Sequence, residues 1–109
     1  MHPTLPVLDG PRLDLAAPDV AQAQAVAGLL ADRVRASVLT MLADGPHCVC
    51  ELSAALGERE NNVSNHLARL REAGLVHRVR RAGDGRYLYY ERDEAACAAA
   101  LRCLERVLA

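Results

Sequence analysis

The chain has 109 residues, 51% of them apolar, and a formal charge of −1. This is the size of a single domain with enough apolar content for a core, which excludes a disordered tail protein. With no Phe, no Trp and only three Tyr, that core has to be filled by Leu, Val and Ala, and so small a domain commonly completes its burial against a second copy.

Residues 1–18 carry four of the five prolines, which removes backbone donors and predicts an extended arm ahead of a folded domain over residues 19–109. Pro18-Asp19 opens a first helix, with Val20, Ala23, Val26, Ala27 and Leu30 at helical spacing as far as about Ala31. A second helix is predicted over Arg33–Ala43 on the stripe Val34, Val38, Leu39 and Leu42, stopped by Asp44-Gly45-Pro46. His47–Leu56 reads as a short helix ending at Gly57, and Asn62–Ala73 as another, with Val63, Leu67 and Leu70 inward and Gly74 as its left-handed stop. Leu75–Arg81 and Arg86–Glu91 flank Ala82-Gly83-Asp84-Gly85, a turn chemistry suited to a two-residue hairpin. A last helix starts at about Arg92 and presents Cys97, Ala100, Leu101, Leu104 and Leu108 on one side. The fold class expected is mainly α with a small antiparallel β-hairpin (α+β): a winged helix-turn-helix of about five helices plus the wing.

The charge is unevenly placed. All 13 basic residues are Arg; residues 59–92 hold eight of them against four acids, whereas residues 1–58 hold three against seven. A basic block in a near-neutral chain points to a local anionic partner, although solvated Arg on helix faces would look similar. Two short helices followed by a hairpin place that block on a surface that reads double-stranded DNA. Asn62, Ser64, Asn65, His66 and Arg69 are on the helix that would enter the major groove, where Asn pairs with adenine and Arg with guanine or phosphate. Arg78, Arg80, Arg81 and Arg86 are on the wing, towards the flanking backbone.

Residues 31–90 resemble the ArsR/SmtB family of metal-responsive repressors. The resemblance is carried above all by CVCEL at Cys48–Leu52, NVSNHLARLREAGLV at Asn62–Val76 and GRYLYY at Gly85–Tyr90. It implies a homodimeric winged-helix repressor that leaves its operator when a metal ion binds. Two stretches depart from the usual family pattern. The second helix is entered by Asp32-Arg33-Val34-Arg35 in place of Asp-Pro-Thr-Arg, and Arg59-Glu60 replaces a Ser-Gln pair at the start of the recognition helix. The missing Ser shifts the expected cap to Asn61, and Glu60 alters the base preference.

Four cysteines without an export signal argue for ligands, redox groups or small buried hydrophobes rather than a disulfide framework. Cys48 and Cys50 stand at a helix start, where the positive helix end favours thiolates. On an ideal helix they would point about 200° apart, so one ion could hold both only by unwinding it. Cys97 and Cys103, in the last helix, are either further thiolates or dimer-interface packing. Thiolate sets select thiophilic ions, so the expected effectors are As(III) or Sb(III), or else Cd(II), Pb(II) or Zn(II). A thiol-redox repressor on the same scaffold is the alternative; it is disfavoured because Cys-X-Cys makes a better chelate than a disulfide. No phosphate-cradling glycine loop, nucleophile-base arrangement or paired carboxylates point to an enzyme. No apolar run approaches a membrane span and Met1–Ala17 has no signal-peptide character, so a cytoplasmic protein without a membrane partner is expected.

Overall fold

The computed structural model describes residues 18–81 and 83–109; the expected N-terminal arm lies outside them, apart from Pro18. Five helices and three strands follow in the order α1 (Pro18–Leu30), α2 (Arg33–Leu42), β1 (His47–Cys48), α3 (Val49–Leu56), α4 (Glu60–Glu72), β2 (Val76–Arg81), β3 (Asp84–Arg92) and α5 (Glu94–Leu108). The winged helix-turn-helix class read from the sequence is the observed one.

Local chemistry sets most boundaries. Asp32 caps α2 by accepting the Arg35 amide at 3.0 Å, and Asp93 caps α5 by accepting that of Ala96 at 2.9 Å. Gly57 and Gly74 take up left-handed φ of 66° and 81° just beyond α3 and α4, where a side chain would be strained. After Gly74 the Leu75 amide returns to the Leu70 carbonyl at 3.0 Å, turning the chain into β2.

Several boundaries differ from expectation, among them the return strand, which begins at Asp84 rather than Arg86 so that Asp84-Gly85 is part of β3 and not of the turn. His47-Cys48 is a strand rather than the first turn of a helix. It pairs antiparallel with β3 (His47 opposite Tyr90, Cys48 opposite Tyr89), so the sheet has three strands in the order β1-β3-β2. Helix periodicity could not reveal this, because a two-residue strand is defined by its distant partners, Tyr89 and Tyr90. The recognition helix begins at Glu60 rather than Asn62, and its N-cap is Arg59, which makes no side-chain cap bond. The cap expected at Asn61 is therefore absent.

The core is formed by one side of each of α2, α3 and α4, closed by the start of β2. Val38, Leu42, Leu52, Val63, Leu67, Leu70 and Val76 are each less than 2% exposed. Burying each such side chain contributes roughly 1.5–3 kcal/mol. α1 packs against α5 outside this core. α5 has no fully buried residue, and Leu101, Val107 and Leu108 remain exposed along it.

Candidate DNA-reading surface and thiol pair

The helix pair α3–α4 is joined by a three-residue turn that is bonded on several sides. Glu58 donates its amide to the Ser53 carbonyl (3.2 Å) and accepts the Ser53 hydroxyl on its own carbonyl. Its carboxylate meets Arg33 of α2 at 3.0 Å and accepts the Asn62 amide at 2.8 Å. Glu58 thus holds the turn against both α2 and α4, a role the sequence reading missed; its only sequence signal was an acid four residues before Asn62.

With Val63, Leu67 and Leu70 buried, the opposite side of α4 is set outward: Ser64, Asn65 and Arg69 are exposed, as expected of groups that meet base edges. Asn62 and His66 differ from that expectation. Asn62 is half-buried with its amide nitrogen committed to Glu58. His66 has only 18% of its side chain exposed. Its Nδ1 is 3.2 Å from the Arg35 guanidinium and 3.6 Å from the Asp32 carboxylate, so that edge of the ring is turned towards α2. Helical spacing distinguishes a core face from its opposite, but these two residues flank the core stripe, where only the neighbouring helix decides direction.

In the wing, β2 and β3 pair antiparallel from Val76 opposite Arg92 to Val79 opposite Tyr89, with an irregularity between Val79 and Arg81. Arg78, Arg80 and Arg86 are exposed. Arg80 reaches the Gly85 carbonyl at 3.5 Å and the Arg86 guanidinium lies 5.7 Å from the centre of the Tyr87 ring. Arg81 closes the hairpin opposite Asp84; its side chain lies outside the described residues.

Cys48 is the N-cap of α3, with an extended backbone (φ −84°, ψ 165°). Its sulfur accepts the Glu51 amide at 3.3 Å, and the Glu51 carboxylate accepts the Cys48 amide at 3.0 Å, a reciprocal capping box. Because Cys48 is outside the helix, the 200° separation expected for the pair does not apply. The two sulfurs converge without any unwinding and are joined as a Cys48–Cys50 disulfide, with Cα atoms 5.3 Å apart. The pair can close on itself because only one member obeys helix geometry.

The other two thiols are free and placed elsewhere. Cys97 packs against the core with its sulfur 3.8 Å from the Leu75 carbonyl, and burial pushes its thiol above the usual value. Cys103 lies between Gln22 of α1 (3.4 Å) and the Arg106 guanidinium (3.2 Å). Among the described residues, no three His, Cys, Asp or Glu side chains gather into an ion site. The donor set at α3 fits a two-sulfur chelate once reduced, and a third donor has to come from elsewhere.

Comparison with known proteins matches this architecture. Residues 32–78 fit the family described as bacterial regulatory protein, arsR family. The arsenic resistance transcriptional regulator ArsR1 of Pseudomonas putida is 44% identical over 62 residues, covering 56% of this chain and 46% of that protein. The arsenical resistance operon repressor of Escherichia coli is 43% identical over 49 residues, covering 44% and 42%. The chain thus spans about half the length of the curated relatives it matches. Among solved structures, HlyU from Vibrio cholerae superposes with a TM-score of 0.66 at 30% identity, covering 84% of this chain and 96% of that one. By its motifs, its fold and these relatives, the chain belongs to the ArsR family of bacterial regulatory proteins.

Proposed function

We propose that the protein is a homodimeric transcriptional repressor whose reduced, ion-free form binds operator DNA and is released by a thiophilic ion at Cys48 and Cys50. The observation that carries this reading is the position of the thiol pair. Cys48 is at once the cap of α3, which packs on the DNA-reading helix α4, and the β1 residue paired to Tyr89 of the wing. An ion that takes the Cys48 sulfur as thiolate competes with the Glu51 amide for the same lone pairs and loads the single segment from which both α3 and the wing are held. Ligation there biases both DNA-facing parts together.

On the operator, Ser64, Asn65 and Arg69 face the bases, and Arg78, Arg80 and Arg86 face the flanking phosphates. Asn62 and His66 support α4 from its inner edge. The second copy covers the exposed apolar residues of α1 and α5, including Leu30 and Leu101. That pairing gives two recognition helices for two half-sites, and places Cys97 and Cys103 near or within the interface. The relatives' names favour arsenic among the expected effectors, and they do not favour the thiol-redox alternative.

The experiment is titration of the reduced protein with As(III), Cd(II), Pb(II) and Zn(II) while its release from operator duplex is followed by fluorescence anisotropy. Release by one of these at stoichiometric ion supports the reading. Undiminished DNA binding in the presence of all four would overturn it.

A further inference from the structure

The contacts of His66 form a small network whose members come from three helices. Arg35, in the first turn of α2, donates from Nε to the Leu29 carbonyl at 2.8 Å and from Nη2 to the Gly28 carbonyl at 3.1 Å. These are carbonyls of the last turn of α1, which lack partners within their own helix. The third arm of the guanidinium, Nη1, lies 3.2 Å from His66 Nδ1 in α4. Asp32 closes the arrangement: its carboxylate accepts the Arg35 amide at 3.0 Å and lies 3.6 Å from the same imidazole nitrogen.

A guanidinium has only donors. The Arg35–His66 bond therefore requires Nδ1 as the acceptor, in a neutral ring with its proton on Nε2. The planar fork lets one side chain cap α1 and fix an α4 residue simultaneously, which Lys cannot do. Along α4, His66 sits directly after Asn65 and three residues before Arg69, so holding its ring fixes the rotation of the helix where the exposed reading residues stand.

We propose that Arg35 and His66 form a positioning joint that sets the recognition helix against the end of α1, so that His66 governs operator affinity without touching DNA. This rests on the assignment of α4 as the DNA-reading helix. Through the joint, α4 is held to the helix that packs on α5, and a displacement of α1 changes how Asn65 and Arg69 are presented.

The test is a double-mutant cycle of Arg35→Ala and His66→Ala, with His66→Asn as a rescue whose amide oxygen overlies the Nδ1 position. Affinities are measured for a duplex selected from a random library by the wild-type protein and for an unrelated duplex, over a range of salt concentrations. Folding of each variant is checked by circular dichroism and thermal unfolding. Each single variant should lose about tenfold in selected-duplex affinity, and the double variant no more than the weaker single one. Binding to the unrelated duplex and the salt slope should be unchanged, and His66→Asn should recover most of the loss. Additive losses, or a smaller salt slope for His66→Ala as expected of a phosphate contact, would overturn the joint while leaving the DNA-reading assignment intact. A wild-type protein that selects no sequence would overturn that assignment and the joint with it. If His66→Ala unfolds, a His66→Asn variant with the affinity of Arg35→Ala would overturn the joint by itself.

Discussion

Replacing Cys48 separates its two roles, cap and ligand. As the N-cap of α3 it accepts the Glu51 amide through sulfur at 3.3 Å, and it is 4% exposed. Cys48→Ser puts a preferred capping oxygen in nearly the same place, so the capping box survives, whereas Cys48→Ala removes the acceptor. Loss of an N-cap side chain costs about 1 kcal/mol, and 1 kcal/mol moves the melting temperature of a domain this size by roughly 4–8 °C. In reduced protein, Cys48→Ala should therefore melt several degrees below wild type and Cys48→Ser close to it. Both should bind operator at temperatures where they are folded, and neither should release it with ion. The release lost corresponds to a coupling of about 1–3 kcal/mol, or 5–150-fold in operator affinity. Thermal unfolding in reductant gives the first comparison and an anisotropy titration the second. Normal ion-driven release from Cys48→Ser would refute the ligand role and move the sensor to Cys97 and Cys103. Equal melting of the Ser and Ala variants would refute the cap argument.

Three further outcomes follow from the same geometry. Arg69→Ala should weaken operator binding by roughly 1–3 kcal/mol, and Arg86→Ala should chiefly reduce the salt slope by about one; unchanged binding in both would dismiss the assignment of recognition helix and wing. Leu101→Glu, at an α5 position 59% exposed in the single chain, should give a monomer with weakened operator binding; sedimentation that still finds a dimer would place the interface elsewhere. The Asp32 carboxyl is held below its usual range, first by the hydrogen bond from the Arg35 amide and further by the Val34 amide and the Arg35 guanidinium. Its charged form therefore stabilises the fold above the ordinary carboxyl range, and that stability is lost as pH falls through the lower folded value. Asp32→Asn keeps a capping oxygen but cannot titrate, so urea midpoints measured against pH should fall less steeply on the acid side than in wild type.

The helices were legible in the sequence because their signals are local. The stripes Val34–Val38–Leu42 and Val63–Leu67–Leu70, together with glycines at the ends of α3 and α4, define faces and stops without reference to the rest of the chain. The hairpin and the Arg-rich wing were legible for the same reason, as was the placement of Cys48 and Cys50 at a helix start. Tertiary structure alone decided whatever depends on a partner distant in sequence. The pairing of His47-Cys48 with Tyr89 and Tyr90 made β1 a strand, which put Cys48 outside α3 and brought its sulfur to that of Cys50. Likewise, Glu58 drew Asn62 inward and Arg35 drew in His66, from positions at the margin of the α4 core stripe. Periodicity reports which side of a helix is apolar. It carries no information about which polar residues on the boundary will meet a charged neighbour 31 residues away, because that pairing exists only once the helices have packed.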